Sequence, residues 1–246
     1  MKERVELLGI SVDVLPTKEA AEQTISYMET EGSKVVYFVN SETLLLLEGH
    51  DSWKNCVEAS QLVLPGAANV DNSLNEVLGY ERDPFFFESY LDRILDYIVE
   101  MDMDTLLVTG TEQQFLSVQA NIHEKRPLLD LTGFYKTEQD ESYEHIVNEI
   151  NSVAPDVLLV ACDETMQLEL LDQYHDLMNA GMVLFVGHQL YHKAVIDEEI
   201  PEHIDKWNLN NVYRFIRKGG HLKRTINSLK MHLRILQHKK NQENDE

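Results

Sequence analysis

The chain has 246 residues, of which 26% are charged and 43% hydrophobic, and its formal net charge is −22. This length fits one large α/β domain, or one domain with an appendage. The sequence contains no apolar run of about 18 residues, which excludes a membrane-spanning helix of the usual kind. Two cysteines, Cys56 and Cys162, are too few for a disulfide framework. We therefore expect a cytoplasmic protein with reduced thiols.

The charge is unevenly distributed along the chain. Residues 1–213 contain 12 Lys and Arg against 40 Asp and Glu, whereas residues 214–240 contain nine basic residues and no acidic one. An acidic body of this kind argues against nucleic acid as a partner. The last six residues, 241–246, are polar and acidic, and we expect them to form a disordered tail.

Short apolar segments alternate with amphipathic ones over most of the chain. Strands are predicted at Val5–Ile10, Val35–Val39, Leu62–Leu64, Thr105–Thr109, Val157–Val160 and Met182–Val186. Strands that alternate with helices indicate parallel pairing, so residues 1–200 are predicted to form an α/β body with a doubly wound, mostly parallel sheet. Ser11–Leu15 continues the first strand or pairs with it as a hairpin. Gly133–Tyr135 is predicted to be a turn.

Hydroxyl side chains precede two of the predicted helices. Thr17 and Ser41 are each placed to cap the helix that follows, because their oxygens can accept from free backbone N–H groups. The pair Asp163-Glu164 suits a helix start in the same way, as a cap and a first-turn acid. The alternative for this pair is a base or a metal ligand. Phe85–Phe87 suits core packing at a helix start, or the lining of an acceptor pocket.

Residues 201–240 form a separate basic segment. Leu222, Ile226, Leu229, Leu233 and Leu236 recur at spacings of four and three residues, which predicts one apolar stripe on a helix. Two interpretations stay open. The helix packs on the body or on a protein partner, or it lies on an anionic membrane that attracts its cations. The predicted membrane-binding residues are Arg217, Lys218, Lys223, Arg224, Lys230 and Arg234.

Two of the predicted strands run into small or polar residues. Val35–Val39 is followed by Asn40-Ser41-Glu42, and Leu62–Leu64 is followed by Pro65-Gly66-Ala67-Ala68-Asn69. In α/β proteins ligands bind outside the carboxyl ends of parallel strands, where backbone N–H groups are free. These two strand ends therefore define a predicted ligand site.

Several strings in the sequence carry a family resemblance when they are taken in order. They are Leu8–Asp13, Asn40 with Glu42, Leu62–Pro65, Gly133–Tyr135, Asp156–Val160 with Gln167, Val186-Gly187, and Lys206-Trp207 with Tyr213-Arg214. Each string is short, but together they span Leu8 to about Lys230. In this order and at these spacings the chain resembles the WecG/TagA/CpsF glycosyltransferase family.

The resemblance implies a fold, an activity and a location. Family members have a Rossmann-like body with a C-terminal appendage that docks on the inner face of the cell membrane. They transfer a sugar, typically N-acetylmannosamine, from a UDP donor to an undecaprenyl-diphosphate-linked acceptor in teichoic acid or surface polysaccharide synthesis. No cofactor or metal ion is implied. The predicted substrate-binding residues are Asn40, Glu42, Gln167, Gly187, Tyr213 and Arg214 from these strings, together with Asn69 from the turn after the Leu62–Leu64 strand.

The sequence departs from the family at the positions that carry the chemistry. The family's candidate base, an Asp, is replaced by Gly66, which cannot accept a proton. A family Thr is replaced by Phe38, and an Arg-Val-Thr-Gly-Ser-Asp string by Asp83–Glu88. A Gly-Ala-Pro-Lys-Gln string is replaced by Asp163–Gln167, so two carboxylates stand where they would repel a diphosphate. Asp71 lies close enough in sequence to substitute as the base.

Three hypotheses follow from these replacements. In the first, the chain is a degenerate, catalytically impaired member, a pseudoenzyme, that acts through protein contacts at the membrane. Its partner would be an intact homologue or another polysaccharide-synthesis protein. In the second, it is an active hexosyltransferase with an altered site, which moves a sugar from a UDP donor to a lipid-linked acceptor. In the third, the resemblance is misleading and the chain is an unrelated doubly wound protein.

Overall fold

The protein is described by a computed structural model that covers residues 3–136, 142–187, 190 and 226–237. Eight strands lie in these ranges. They are β1 (Arg4–Leu7), β2 (Ile10–Asp13), β3 (Lys34–Val39), β4 (Leu62–Pro65), β5 (Thr105–Thr109), β6 (Thr132–Tyr135), β7 (Val157–Ala161) and β8 (Met182–Phe185).

Helices connect the strands. They are α1 (Thr17–Met28), α2 (Ser41–Leu47), α3 (Asp51–Glu58), α4 (Ala68–Leu78), α5 (Phe87–Glu100), α6 (Glu112–Lys125), α7 (Glu144–Val153) and α8 (Glu164–Tyr174). A 3₁₀ turn, His175–Leu177, extends α8. Residues 226–237 form a further helix, α9.

Six of the strands form one sheet in the order β4-β3-β8-β7-β5-β6, and every neighbouring pair is parallel. One face of the sheet packs against α2, α3, α4, α7, α8 and α9, and the other against α1, α5 and α6. The core strands carry apolar residues that are buried on both faces, as parallel sheets require. The predicted doubly wound parallel sheet is confirmed.

The first two strands form a separate antiparallel hairpin. It lies beside the edge strand β4, where the completely buried carboxylate of Asp13 accepts a hydrogen bond from the backbone N–H of Val63 at 2.7 Å. Arg4 pairs with the same carboxylate at 2.8 and 3.1 Å. Of the two arrangements left open for this segment, the hairpin is therefore the one formed, and it covers a sheet edge.

The predicted turn at Gly133–Tyr135 is wrong, because these residues belong to β6 and pair with β5. The glycine serves close packing there. A Cβ at Gly133 would lie 1.9 Å from the carbonyl oxygen of Leu107, so no larger residue fits. A glycine inside a strand often marks such a close approach of two backbones.

Two predicted caps are also wrong. Helix α2 is capped by Asn40, whose Oδ1 accepts from the backbone N–H groups of Glu42 and Thr43 at 2.8 and 3.0 Å. Ser41 is the first helical residue instead. Thr17 is likewise the first residue of α1 and accepts from the backbone N–H of Phe86 at 2.9 Å. The capping side chain of α2 is thus a residue of the predicted ligand site.

Helix α9 is the described part of the predicted basic segment. It buries Met231 and Ile235 against the α2/α8 face of the sheet. The predicted apolar stripe is only partly covered, with exposed fractions of 43% to 60% for Ile226, Leu229, Leu233 and Leu236. Leu229 and Leu233 also line grooves between α9 and the body. Leu222, the rest of residues 201–225, and the tail 241–246 lie outside the described residues. Within the described part, no helix is both long and apolar enough to cross a membrane.

Candidate functional site

The carboxyl ends of β3, β8 and β7 meet at one edge of the sheet. Because β8 lies between the other two, the residues that follow β3 and β7 reach toward each other across its end. Asn40 Nδ2 donates a hydrogen bond to Glu164 Oε1 at 2.6 Å, although the two residues are 124 positions apart in the chain. The predicted site at this edge therefore centres on an amide and a carboxylate.

Both ends of the Asn40 amide are hydrogen-bonded within the protein. Its Oδ1 accepts from two backbone N–H groups of α2 and also from Thr43 Oγ1 at 3.3 Å, while its Nδ2 binds Glu164. The side chain is 8% exposed. Because one group both caps a helix and holds a carboxylate, its orientation is fixed.

The pair Asp163-Glu164 divides into two roles. Asp163 is the N-cap of α8, and its Oδ1 accepts from the backbone N–H of Met166 at 3.0 Å, so the cap predicted for this pair is confirmed. Glu164 turns inward and is 5% exposed. Burial raises the pKa of the Tyr37 phenol well above its ordinary value, and the nearby charge of Glu164 raises it further. Tyr37 therefore stays neutral beside this carboxylate.

Gln167 and Gly187 lie together under the end of β8. Gln167 is 2% exposed, and its Nε2 donates to the carbonyl oxygen of Cys162 at 3.1 Å. Gly187 has a φ of +66°, and a Cβ there would lie 3.3 Å from Gln167 Nε2. A glycine therefore suits both the backbone conformation and the close contact. The structure thus brings together Asn40, Gln167 and Gly187, with Glu164 as the unexpected fourth member.

A cleft of about 620 Å³ opens next to this cluster. Its walls are the start of α2, one side of α4, and α9. Most of the exposed lining surface is apolar, and the amide and hydroxyl groups in it belong to Asn40, Ser41, Asn69, Asn72, Ser73, Asn227 and Ser228. Asn69 Nδ2 bridges two walls, because it donates to Ser41 Oγ and, at 3.0 Å, to Ser228 Oγ. Glu42 lines the cleft as well, so two further predicted substrate-binding residues lie here.

The cleft carries negative charge. Glu42 and Glu76 are among its lining residues, and His232 Nδ1 lies 3.3 Å from Glu76 Oε2. No Lys or Arg occurs among the described lining residues. Diphosphates are usually bound by Arg, Lys or clustered backbone N–H groups. In its described part the cleft therefore suits neutral polar groups better than a diphosphate.

Gly66, which the resemblance aligns with the family's base, has no side chain that can take a proton. Gly66 follows β4, and its backbone N–H donates to the carbonyl oxygen of Val39 at 2.7 Å. Asp71 lies in α4, 3% exposed, where it is ion-paired with Arg82 and accepts from the backbone N–H of Phe85 at 3.2 Å. A carboxylate held in this way stabilises the fold, so we do not assign it the role of a substitute base.

Aromatic residues fill the space beside the site on the other face of the sheet. Phe38 packs edge-on against Phe87 and Tyr90, with ring centroids 5.0 and 5.2 Å apart. Phe85 is buried in the same cluster, whereas Phe86 is 56% exposed. The core packing predicted for this segment is confirmed for Phe85 and Phe87. Phe38, Phe85 and Phe87 are thus part of the core in this chain.

The remaining predicted residues fall into two groups. Lys230 and Arg234 are exposed on α9, and Arg234 Nε lies 3.9 Å from Glu48 Oε2. The others lie outside the described residues: Tyr213, Arg214, Arg217, Lys218, Lys223 and Arg224. Among the residues that the structure describes, no group of three or more His, Cys, Asp or Glu could hold a metal ion.

The sequence interpretation weighed Glu164 only together with Asp163 and did not single it out, and it missed Ser228 as a site residue. For Glu164 a usable signal existed. Only one of two adjacent acids can cap a helix, so the side chain of the other can contact residues at the carboxyl end of a neighbouring strand. For Ser228 no signal existed, since a serine on a basic helix carries no information about what it contacts.

An all-parallel, doubly wound sheet with a cleft over its carboxyl ends defines a Rossmann-like α/β protein. The model of the WecG/TagA/CpsF glycosyltransferase family matches residues 5–245, and the chain belongs to this family. The resemblance in the sequence is thereby confirmed. The comparison with curated proteins gave no match. Family membership supports a glycosyltransferase-like function, for which a sugar donor and a lipid-linked acceptor are the expected substrates.

Proposed function

We propose that this protein is a catalytically impaired family member that acts in cell-surface polysaccharide or teichoic acid synthesis through protein contacts at the inner face of the membrane. The observation that supports this most directly is the missing base. Gly66 has no side chain to accept the proton of an acceptor hydroxyl, and Asp71 is already bound by Arg82 and Phe85. Without such a base the acceptor is a poor nucleophile.

The membrane part of the proposal rests on α9 and on the charge distribution. The helix presents an exposed apolar stripe flanked by Lys230 and Arg234. Each cation near an anionic surface contributes about 1 kcal/mol, and the leucines add apolar burial. The strongly acidic body would be repelled by the same surface, so attachment through the basic segment alone leaves the body free for a protein partner.

The experiment is a transfer assay with purified full-length protein, labelled UDP-sugars and a lipid-linked acceptor in vesicles. We expect no product above background from the wild-type chain, and none from Asn40→Ala. Product that forms with the wild type and is lost in Asn40→Ala would overturn the proposal. A complementary assay uses an intact homologue from the same cell. We expect the homologue to co-purify with this chain, and we expect the homologue's transferase activity to change when this chain is left out of the assay.

The alternative is an active hexosyltransferase with an altered site. The observation in its favour is the cleft of about 620 Å³, whose mostly apolar lining includes amide and hydroxyl groups that could bind the hydroxyls of a sugar ring. This candidate requires measurable binding of a UDP-sugar. Calorimetry that detects no binding at millimolar concentrations of UDP-N-acetylmannosamine or UDP-N-acetylglucosamine would count against it and in favour of the impaired member.

A further inference from the structure

The buried carboxylate of Glu164 is the most unusual group at the carboxyl edge of the sheet. We infer that Glu164 excludes nucleoside diphosphates from this site, because its carboxylate occupies Asn40 and repels an incoming phosphate. This inference rests on the proposed function, since it treats the edge as a donor site that has been silenced. It adds a specific residue and a physical cause to that loss.

Asp163, and not Glu164, supplies the cap of α8, through Met166 N at 3.0 Å. In α4 the acidic residue of the first turn, Asp71, is buried but ion-paired with Arg82. In α1, α5, α6 and α7 the acidic residue of the first turn is exposed, namely Glu19, Glu88, Glu112 and Glu144. Such an acid interacts favourably with the helix dipole while it remains in water. Glu164 instead turns inward, is 5% exposed and accepts a hydrogen bond from Asn40.

The contact with Asn40 explains what the inward orientation achieves. A ligand that reached Asn40 would bind beside Glu164 at Nδ2, because the amide oxygen is already engaged by α2. A phosphate at that point would lie within about 5 Å of the carboxylate, where like charges repel strongly at low dielectric. The Glu164 carboxylate therefore lies where a phosphate would otherwise approach Asn40, and its negative charge disfavours the binding of anions there.

The repulsion acts on the phosphates and not on the nucleoside. Uridine carries no charge, so its binding should not depend on the charge of residue 164. UDP carries its negative charge on the diphosphate, and its binding should respond. The comparison of the two ligands therefore separates charge exclusion from a general change in the shape of the cleft.

The test is Glu164→Gln, which removes the charge and retains an oxygen that can accept from Asn40. The matched control is Glu169→Gln on the same helix, which removes one charge from a carboxylate that accepts from Tyr143 OH at 2.5 Å. UDP is titrated calorimetrically into each full-length protein. We expect Glu164→Gln to bind UDP at least about tenfold more tightly than wild type, a difference of about 1.4 kcal/mol. Glu169→Gln and wild type should be equal.

The inference is overturned if Glu164→Gln binds UDP no more tightly than wild type, or if Glu169→Gln gains as much. It is also overturned if uridine binding increases by the same factor as UDP binding. Glu164→Ala provides a second variant that removes both charge and volume. Thermal unfolding of every variant establishes that each protein titrated is folded. If the folded variants of Glu164 bind UDP no more tightly than wild type, Glu164 does not exclude nucleoside diphosphates.

The two proposals fail separately. If wild-type protein transfers sugar, the impaired function is wrong whatever Glu164 does. If wild type is inactive and Glu164→Gln still gains no UDP affinity, only the exclusion by Glu164 is wrong. Gain of UDP binding without gain of transfer supports both, because the base is still missing at Gly66.

Discussion

Asn69 and Ser228 lie 159 residues apart in the chain and are joined by a hydrogen bond of 3.0 Å between Nδ2 and Oγ. The bond ties α9 to the start of α4 across the cleft. It also fixes which side of α9 faces the body, because Ser228, Met231 and Ile235 then share the inward face. The leucines are left partly exposed, and this arrangement yields the first prediction.

The partly exposed leucines of α9 should control attachment to anionic vesicles. Leu229 and Leu233 are 60% and 50% exposed, so the double change Leu229→Ser and Leu233→Ser should leave the fold intact. Burial of a leucine in the membrane interface contributes about 1.5–3 kcal/mol, so partitioning should fall by at least about tenfold. Vesicle co-sedimentation with and without anionic lipid measures this.

The control for this prediction is Leu128→Ser, which changes the most exposed leucine of the body, at 85% exposure. It should bind vesicles like wild type. Deletion of residues 214–246 should abolish binding. If the full-length chain does not bind anionic vesicles at all, the leucine stripe of α9 is a protein-contact surface.

The buried ion pair of Asp71 and Arg82 should matter for stability. Their side chains are 4% and 8% exposed, so Asp71→Asn leaves a buried cation without its counter-charge. Loss of one partner of a buried pair typically costs about 3–5 kcal/mol. Urea denaturation should show a correspondingly lower free energy of unfolding.

The matched comparison is the exposed pair Lys18 and Glu22, 3.5 Å apart on α1. Glu22→Gln should change the free energy of unfolding by less than about 0.5 kcal/mol, since exposed pairs contribute little. Equal effects of the two substitutions would mean that the Asp71 pair is accessible to water.

Gly133 should tolerate no side chain. A Cβ there would meet the Leu107 carbonyl oxygen at 1.9 Å and Phe115 Cε2 at 2.9 Å. Gly133→Ala should therefore separate β5 from β6 and destabilise the protein by about 3 kcal/mol or more. Gly49→Ala is the control, since a Cβ there meets nothing within 4 Å and only the φ of +82° is strained. Its cost should stay near 1–2 kcal/mol, about that of a left-handed residue; thermal unfolding compares the two.

Cys56 should be an unreactive thiol at neutral pH. Burial, and then the hydrogen bond and charge of Asp172, raise the pKa of Cys56 to about 11. Because the thiolate is the reactive form, alkylation by iodoacetamide at pH 8 should be about a hundredfold slower than for a thiol of pKa 9. The rate should keep rising with pH until the pH passes the raised pKa.

Asp172→Asn should speed this alkylation, because it removes the charge that disfavours the thiolate. Asp130→Asn, at an exposed position on another part of the surface, should leave the rate unchanged. Cys162 is fully buried and its pKa is also raised, mainly by burial, so it should not contribute. Fast alkylation in the wild type would show that Cys56 is not held by Asp172.

The order of strands and helices could be predicted because buried parallel strands leave a direct mark, a short apolar run such as Val157–Ala161. The family strings and the loss at Gly66 are equally plain, since they depend on residue identity alone. The strand ends that form the site followed from the rule that ligands gather at carboxyl ends. Gly133 was misread because a glycine in a turn and a glycine under a neighbouring backbone look the same in sequence.

What the sequence determined by itself was therefore the parallel α/β body and the family. Only the tertiary structure decided which of two adjacent residues turns inward. Asn40 rather than Ser41 caps α2, and Glu164 rather than Asp163 faces the site. The same holds for α9, whose leucine pattern defines a face without saying what covers it. Periodicity records the geometry of one element, whereas these choices depend on contacts between elements more than a hundred residues apart.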